Sequence, residues 1–355
     1  MSFEEIFNQK PKIAEQAHAR VNLIGEHTDY TGGYVMPTLL NFNTKIRLSQ
    51  NNEKKYQVFS EHFKETKIFD NFFKSKNNDW IDYIKGCLFV FFKENKNINK
   101  IYLNVLISSN IPIERGISSS SALCVALLKS LNIFFKTKIS NKNIALLAQK
   151  VERNYIGVSG GIMDQMVSSV GIHGKAFFLN CLSLKYELLD IPFNWKFCLI
   201  DSKVQRNLRD SSYNERYNQL KKAEEYLGVK YLSSVNIFAL SEKKIVDPVV
   251  YKRAKHVITE NNRVLKARNC LLENNIEKFG KLMNESHTSY SKDFEASTED
   301  VNIITQKSLD SGAVGSRLTG GGFGGFTVSL INKNNYEKWY SKMKKFYSED
   351  KIFEV

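Results

Sequence analysis

The densest group of polar side chains in the sequence follows a short apolar run near the N-terminus. Val21 to Ile24 has the composition of a strand, and the turn after it carries Glu26, His27 and Asp29 before the pair Gly32-Gly33. Carboxylates and an imidazole that converge at one strand end suit a sugar, whose hydroxyl groups need donors and acceptors in fixed positions. The alternative is a polar turn in which Asp29 and the two glycines only shape the backbone.

A second group of candidate residues precedes an apolar helical pattern. Residues 112–123 contain Gly116 and four consecutive serines, Ser118 to Ser121, after a predicted strand that ends near Ser108. A helix N-terminus presents free N–H groups and the positive end of the helix dipole, and serine hydroxyls can bind phosphate or Mg²⁺. The segment is not a G-x-x-x-x-G-K-[ST] loop, because it has one glycine and no lysine at the required offset. An N-cap would explain one serine, whereas a bound triphosphate would explain four.

Two further segments contain closely spaced glycines. Residues 315–325 include six glycines, which implies that the backbone lies very close to a ligand or to another segment of the chain. Residues 160–165 place Asp164 at the start of a predicted helix. Asp164 is therefore either the cap of that helix or a residue of the site.

The periodicity of apolar residues predicts an α+β protein. Helices are predicted over 80–92, 118–135, 141–155, 211–227 and 251–290, and β-like runs over 56–59, 101–108, 176–179 and 326–330. A length of 355 residues exceeds one comfortable hydrophobic core. We place the division near residues 184–191, which gives domains 1–185 and 186–355.

Composition argues against several classes of protein. The formal net charge is +14, but the lysines are scattered among acidic residues, so a solvated surface is expected rather than a nucleic-acid interface. The 5 cysteines form no C-x-x-C pair and are odd in number, which argues against a disulfide framework or a zinc site. The N-terminus lacks the pattern of a secretory signal, and the longest apolar stretch is far below the roughly 20 residues that span a bilayer. We expect a cytoplasmic monomer with no membrane or nucleic-acid partner.

Taken together, these residues resemble the GHMP small-molecule kinases and, within them, the galactokinases. The run from Arg20 to Tyr30 is similar to the galactokinase signature. Further similar segments are 80–86, 161–165, 201–213, 253–257, 285–287 and 316–325. The resemblance implies a two-domain α+β fold with the active site in the inter-domain cleft. It also implies that ATP, with Mg²⁺, phosphorylates the anomeric C1 hydroxyl of galactose.

The same resemblance implies a role for individual residues. Those expected to hold sugar hydroxyls are Glu26, His27, Asp29 and Tyr213, with Gly161 near the ring and Asp29 reading the axial C4 hydroxyl. Those expected at the nucleotide are Trp80, flanking the adenine, and Gly116, Ser118, Ser119 and Ser120. Ser120 and Glu152 would coordinate Mg²⁺. Asp164 would face the C1 hydroxyl, and Arg20 beside it would keep the carboxylate ionised and stabilise charge on the phosphoryl oxygens.

The chain departs from the usual galactokinase pattern in two places. It has His18-Ala19-Arg20 where P-G-R is usual, and Glu114 stands where the nucleotide loop usually has glycine. A glutamate there would strain the loop and repel phosphate unless Arg115 compensates.

Two alternative functions remain open from the sequence. The first is a different sugar 1-kinase, acting on N-acetylgalactosamine or another hexose, which only the pocket around C2 would reveal. The second is a regulator of the same fold that binds sugar and ATP without catalysis. The presence of Arg20, Glu152 and Asp164, with the uninterrupted serine run, argues against the regulator.

Overall fold

The computed structural model describes residues 1–72, 78–112, 115–204, 211–242 and 245–355. Glu114 lies outside the described residues, so its effect on the nucleotide loop stays a prediction. The strands are β1 (Ile13–Asn22), β2 (Tyr34–Val35), β3 (Pro37–Asn51), β4 (Tyr56–Ser60), β5 (Glu65–Phe69), β6 (Tyr102–Ser109), β7 (Lys175–Asn180), β8 (Tyr186–Asp190), β9 (Trp195–Asp201), β10 (Gly315–Leu318), β11 (Phe326–Asn332) and β12 (Ile352–Glu354). The α-helices are α1 (Phe3–Phe7), α2 (Ile81–Glu94), α3 (Ser119–Phe134), α4 (Asn141–Lys150), α5 (Met163–Val170), α6 (Ser211–Leu227), α7 (Ile237–Glu242), α8 (Pro248–Leu272), α9 (Ile276–Lys292), α10 (Glu299–Ser311) and α11 (Tyr336–Met343). A π-helix covers Val151–Ile156, and short 3₁₀ turns cover Leu232–Ser234, Lys333–Asn335 and Glu349–Lys351.

The chain forms two compact units. Unit 1 comprises Met1–Ala19, Leu40–Pro112 and Ser118–Val170, and unit 2 comprises Arg20–Leu39, Ile113–Ile117 and Gly171–Val355. The units differ in extent from domains 1–185 and 186–355, because residues 20–39, 113–117 and 171–185 belong to unit 2, where β2 pairs antiparallel with β7. The domain boundary at residue 185 itself stays a prediction.

Unit 1 is built on a five-stranded sheet in the order β1-β3-β6-β4-β5. The central strand β6 pairs antiparallel with β3 and parallel with β4. Leu103, Val105 and Ile107 of β6 belong to the large apolar core that also includes residues of α2, α3 and α4. Leu106 belongs to a separate small cluster with Phe3 and Phe59. This alternation follows from the two-residue period of a strand, whose successive side chains point to opposite faces.

The helices of unit 1 that carry candidate residues follow the predicted pattern closely. The helix predicted at 118–135 is confirmed as α3, and the one predicted at 141–155 is α4 followed directly by the π-helix. The Oγ of Ser140 accepts the Asn143 N–H at 3.3 Å, so a serine N-cap fixes the start of α4. Glu152 lies in the π-helix, a rare conformation that is frequent at functional sites.

Unit 2 contains a four-stranded antiparallel sheet, in the order β10-β11-β9-β12, and a three-stranded sheet, β2-β7-β8. The helix predicted at 211–227 is confirmed as α6. The single helix predicted over 251–290 is wrong, since α8 ends at Leu272 and α9 begins at Ile276. Asn274 has a left-handed backbone with φ 51°, and the side chain of Asn275 caps α9 by accepting the Lys278 N–H at 3.1 Å. Two asparagines therefore break a pattern whose apolar spacing continues on both sides.

No helix in the described parts of the chain combines the length and the apolar character that crossing a membrane requires.

Two histidines in the helices of unit 2 are held in their neutral form, His256 fully buried and His287 half-buried. His287 Nδ1 accepts the Leu318 N–H at 3.4 Å. Its Nε2 lies 3.0 Å from Thr305 Oγ1, whose own proton goes to the Asn302 carbonyl, so Nε2 is the donor. Burial lowers the pKa of His287 to about 4, and burial lowers the pKa of His256 to about 3.

We predict that acid destabilises the protein through these histidines. Their folded pKa values lie below the value of about 6.5 in an unfolded chain, so the unfolded state binds more protons between that pH and the folded pKa. The contribution of the two histidines to the free energy of unfolding is complete above pH 6.5 and is lost as the pH drops toward 4. His287 alone should account for about 2 kcal/mol between pH 7 and pH 5.

Urea denaturation of the wild type and of His287→Gln at the two pH values would measure this contribution. The variant should be less stable than the wild type at pH 7 but lose less stability on acidification. Equal losses of stability in both proteins would show that His287 is not the titrating group.

Candidate active site

Residues 22–34 of unit 2, called the signature turn below, begin where β1 ends, at Asn22. The predicted strand over 21–24 is therefore wrong in extent, since Leu23 and Ile24 lie beyond β1, where they pair through backbone hydrogen bonds with Met36. The Oγ1 of Thr28 donates to the carbonyls of Gly25, at 3.0 Å, and Tyr34, at 2.6 Å. These bonds close the turn on itself and fix the directions of the side chains between them.

Glu26 is buried inside this turn, with 1% of its surface exposed. Its Oε1 accepts the Gly320 N–H at 2.8 Å and Arg317 Nη1 at 3.1 Å, and its Oε2 accepts Asn22 Nδ2. Both carboxylate oxygens thus have partners within the protein. The structure ties Glu26 to the glycine-rich segment, and its predicted contact with sugar hydroxyls stays a prediction.

His27 is also buried and has a left-handed backbone with φ 62°. Its Nδ1 lies 2.7 Å from Tyr30 Oη and its Nε2 lies 2.9 Å from Tyr290 Oη. Because the Tyr290 hydroxyl donates its proton to the Gly320 carbonyl at 2.8 Å, His27 Nε2 must be a donor and Nδ1 the acceptor from Tyr30. Both ring nitrogens are therefore used inside the protein.

Asp29 and Tyr213 occupy less buried positions at the same turn. Both side chains are half-buried. The Tyr213 ring, on α6, lies 5.4 Å from the His27 ring and 6.3 Å from the Tyr30 ring. The pKa of the Tyr30 phenol is raised first by burial, then by Tyr213, and then by the charge of Asp29, which therefore lies nearby. The structure thus brings Tyr213 to the signature turn although it lies 184 positions from Asp29 in the sequence.

In unit 1, Ser118 and Asp164 are joined directly. Ser118 precedes α3 with a left-handed backbone, φ 67° and ψ 41°, and its side chain does not cap the helix. Its Oγ instead donates to Asp164 Oδ2 at 2.5 Å. Asp164 lies in the first turn of α5, inside the helix, so it is not the N-cap residue. A non-glycine residue held at positive φ indicates a conformation that the surroundings enforce, which is common at functional sites.

Glu152 lies near this pair and is 7% exposed. Its Oε1 accepts Ser121 Oγ at 2.9 Å, its Oε2 accepts Gln165 Nε2 at 2.5 Å, and Ser120 also bonds to it. Burial, and then the charge of Asp164, raise the pKa of Glu152 to about 7, against the effect of these hydrogen bonds. The predicted metal ligands, Ser120 and Glu152, are therefore in contact.

The chemistry of this cluster fits a magnesium ion. Mg²⁺ is usually held by one or two carboxylates together with phosphate and water oxygens. Among the described residues there is no group of three or more His, Cys, Asp or Glu side chains that could hold a metal on its own. The Oε1 of Gln165, buried beside Glu152, has no hydrogen-bond partner in the described part of the chain. An oxygen of this kind is expected next to an ion or its water shell.

Arg20 and Gly116 are brought together within unit 2. Arg20 Nη1 donates to the Gly116 carbonyl at 2.8 Å, and its backbone N–H donates to Ile117 at 3.3 Å. The end of β1 is thereby attached to the segment that precedes α3. The expected pairing of Arg20 with Asp164 stays a prediction.

Trp80 and Gly161, both in unit 1, have partners of their own. Trp80 is half-buried, donates to Glu65 Oε2 at 3.4 Å, and stacks on Phe63 with ring centroids 5.7 Å apart. The carbonyl of Gly161 accepts Gln149 Nε2 at 2.8 Å. The adenine contact of Trp80, the sugar contact of Gly161 and the nucleotide contacts of Ser119 stay predictions.

The glycine-rich segment lies close to other parts of unit 2. A Cβ on Gly325 would lie 2.4 Å from the Arg115 carbonyl oxygen, at a residue whose φ is +90°. The sequence left open whether the glycines make room for a ligand or for another segment of the chain. For Gly325 the second explanation holds, because the Arg115 backbone occupies the space. Sequence reasoning missed Arg317, Glu260 and Tyr290 as partners of the signature turn, because nothing in their spacing indicates a contact with residues 22–27.

Two structural features agree with one class of enzyme. One is a buried carboxylate and serine cluster at a helix N-terminus, and the other is a turn rich in hydrogen-bonding groups on a separate compact unit. They are the parts that a kinase acting on a small molecule needs.

Comparison with known families agrees with this class. Residues 1–49 match the galactokinase galactose-binding signature, residues 82–172 the GHMP kinases N terminal domain, and residues 267–349 the GHMP kinases C terminal domain. The galactokinase of Fusobacterium nucleatum is 35% identical over 98% of this chain and 92% of its own length. The galactokinase of Clostridium acetobutylicum has the same identity and coverage. The chain belongs to the galactokinase family of the GHMP kinases.

Solved structures show the same fold. The Lactococcus lactis galactokinase complexed with galactose superposes with a TM-score of 0.90 at 29% identity, over 99% of this chain and 95% of the other. The mevalonate kinase of Methanococcus jannaschii superposes with a TM-score of 0.70 at 20% identity, over 96% of this chain and 97% of its own, and supports the fold alone. The predicted α+β GHMP kinase fold is confirmed.

We predict that Gly325→Ala lowers the free energy of unfolding by more than the strain of a side chain at positive φ alone would cause. A side chain at positive φ costs about 1–2 kcal/mol, and the overlap with the Arg115 carbonyl should add about 1–3 kcal/mol. Gly174→Ala is the matched control, since Gly174 has φ +74° but nothing within 4 Å of the new Cβ. Denaturation midpoints of both variants measure the difference. Equal costs would mean that the close approach does not constrain the segment.

Proposed function

We propose that the protein transfers the γ-phosphoryl group of ATP to the C1 hydroxyl of galactose, producing galactose 1-phosphate and ADP. The observation that carries this proposal is the galactose-binding signature at residues 1–49 in a chain that matches galactokinases over 98% of its length. The similar Lactococcus lactis structure is a complex with galactose. We also expect the protein to work as a monomer in the cytoplasm, with ATP and the sugar as its partners.

The signature turn divides its polar residues between two tasks. Asp29 and Tyr213, which are half-buried, are the residues we assign to direct contact with sugar hydroxyls, Asp29 with the axial C4 hydroxyl. Glu26 and His27 use their side chains on internal partners, so they support binding mainly by holding the turn. A site whose hydrogen-bonding groups are rigidly placed rejects a sugar that lacks the matching hydroxyl.

Asp164 is the residue we assign to the reacting hydroxyl. As the C1 oxygen forms its bond to the γ-phosphorus, the bond from that phosphorus to the β–γ bridging oxygen breaks and ADP leaves. The proton of the C1 hydroxyl passes to the Asp164 carboxylate. The Ser118 hydroxyl donates to Oδ2 of Asp164. This bond fixes the orientation of the whole carboxylate group, including the direction of its other oxygen, Oδ1.

Ser120, Glu152 and the start of α3 are the residues we assign to the nucleotide and its cation. The side chain of Ser118, the N-cap residue, does not cap α3, so we assign the N-terminal N–H groups of the helix to phosphate oxygens. Ser120 and Glu152 would hold Mg²⁺, which when bound would neutralise charge on the β- and γ-phosphates. Arg20 would add positive charge near the transferred group.

Galactose should give the highest kcat/KM among common hexoses. ADP release would be followed with ATP, Mg²⁺ and a panel of galactose, glucose, mannose and N-acetylgalactosamine. Glucose differs from galactose at C4 alone, so it tests the assignment of Asp29 directly. Equal turnover of glucose and galactose would sink the assignment, preference for N-acetylgalactosamine would identify a different sugar 1-kinase, and binding without turnover of any sugar would indicate a regulator.

Asp164→Asn should abolish most turnover while the protein stays folded. The amide keeps the shape of the carboxylate and can still accept from Ser118, but it cannot take the C1 proton. General-base contributions predict a loss in kcat of about 10²–10⁴-fold, with sugar affinity and melting temperature little changed. Ser118→Ala, which keeps the carboxylate and removes only its orienting bond, should lose less. A kcat for Asp164→Asn within about threefold of the wild type would rule out the proton transfer.

A further inference from the structure

Arg317 is a fully buried arginine that the chemistry above leaves without a role. It lies on β10 with 0% of its surface exposed. Its Nη1 is 3.1 Å from Glu26 Oε1, 3.4 Å from the Asn22 carbonyl and 3.5 Å from the Leu23 carbonyl. One guanidinium nitrogen therefore contacts both the end of β1 and the carboxylate of the signature turn.

Glu260, on α8, holds the backbone of the same turn. Its Oε1 accepts the N–H groups of Gly25, at 2.9 Å, and Glu26, at 3.4 Å. The same oxygen lies 3.7 Å from Arg317 Nη2. Ser286 Oγ connects the two charged groups, since it donates to Glu260 Oε1 at 2.6 Å and accepts Arg317 Nε at 3.2 Å.

The charges in this cluster balance. Glu260 Oε2 pairs with Arg263 Nε at 2.7 Å, so two carboxylates, Glu26 and Glu260, face two guanidinium groups. Burial opposes the ionisation of Glu260, yet Arg263 and Arg317 hold its pKa well below its usual range. Buried ionised groups that face opposite charges keep fixed positions, because any displacement leaves a buried charge without its counter-charge.

We propose that Arg317 is a positioning residue that sets the geometry of the galactose-binding turn and so determines sugar affinity and selectivity. The inference rests on the proposed function. Arg317 contacts the residues before and at the start of the turn, and Glu260 fixes the turn amides that follow. Glu26 Oε1 accepts from Arg317 and also from the Gly320 N–H. The carbonyl of Gly320 in turn accepts from the Tyr290 hydroxyl, which contacts His27. Displacement of Arg317 would therefore move the turn that carries Asp29.

Lysine cannot replace this arginine. The planar guanidinium presents donors in several fixed directions, whereas an ammonium group is a single point of charge on a flexible stem. Arg317→Lys keeps the positive charge but cannot reach Glu26, Ser286 and the strand-end carbonyls at once. The substitution therefore separates the geometry of the site from its charge.

The test compares Arg317→Lys with Arg253→Lys. Arg253 is 2% exposed in the same unit, and its partners are the Asp293 carbonyl, Glu295 and Gln219 rather than residues of the signature turn. Both variants should lose stability. Only Arg317→Lys should lower kcat/KM for galactose, by roughly 10- to 100-fold, and reduce the preference for galactose over glucose, with the KM for ATP within about twofold of the wild type. Equal kinetic constants in the two variants would show a merely structural role and overturn the proposal.

Hydrogen exchange provides a readout that does not depend on activity. Arg317→Lys should speed exchange of the amides in residues 22–34, and Arg253→Lys should not. If the wild type phosphorylates no sugar, the proposed function fails while this comparison still decides whether Arg317 holds the turn. Faster exchange combined with unchanged galactose kinetics would overturn the link to sugar binding.

Glu260→Gln offers a second variant if Arg317→Lys does not fold. The amide oxygen can still accept from Gly25 and Ser286, but the partner charge of Arg317 is lost. The same loss in galactose kcat/KM and the same faster exchange in residues 22–34 are expected. Failure of both variants to fold would make the cluster a requirement of folding and overturn the proposal.

Discussion

The pairing of Glu26 and Glu260 with Arg317 and Arg263 is the interaction on which the sugar-binding turn depends. Moving these charges out of water costs several kcal/mol for each ion, so the cluster is stable only because every charge has an opposite partner at short range. Glu26, Glu260 and Arg317 are 1% exposed or less, and within unit 2 they join the last residue of β1, Asn22, to α8, α9 and β10. Apolar packing would tolerate small shifts of these elements, whereas the paired charges define one arrangement.

Unit 1 fixes Ser118 and Glu152 by a different physical means. The Ser118 backbone is held in a left-handed conformation, and Glu152 lies in a π-helix, so both depart from regular helical geometry. The result is that Ser118 turns its hydroxyl to Asp164 instead of capping α3, and that two serines and a glutamine surround a buried carboxylate. A left-handed backbone at a non-glycine residue such as Ser118 costs about 1–3 kcal/mol and persists only where the surrounding structure enforces it.

Local sequence signals predicted the elements and the chemical types at the site, but not the partners. The helices at 118–135 and 211–227 are present because their apolar spacing and flanking residues agree with the fold. The break at Asn274-Asn275 was missed because the apolar period continues across it. Arg317 was seen only as part of a glycine-rich run, since a contact between residues 291 positions apart leaves no trace in the spacing of either segment. Predicting it would need co-variation or a structure.

A match to the galactose-binding signature does not by itself establish catalysis, because part of the signature holds the fold. Glu26 and His27 are constrained by internal packing, so a chain can retain the signature because its fold needs them, whether or not it catalyses. The residues we assign to catalysis, Asp164, Ser118 and Glu152, lie instead in unit 1 and outside the signature. A sugar-binding regulator of the same fold would keep the cluster around Arg317 and be free to lose the Ser118–Asp164 pair. Retention of that pair, with the serines around Glu152, is therefore the feature that favours a kinase.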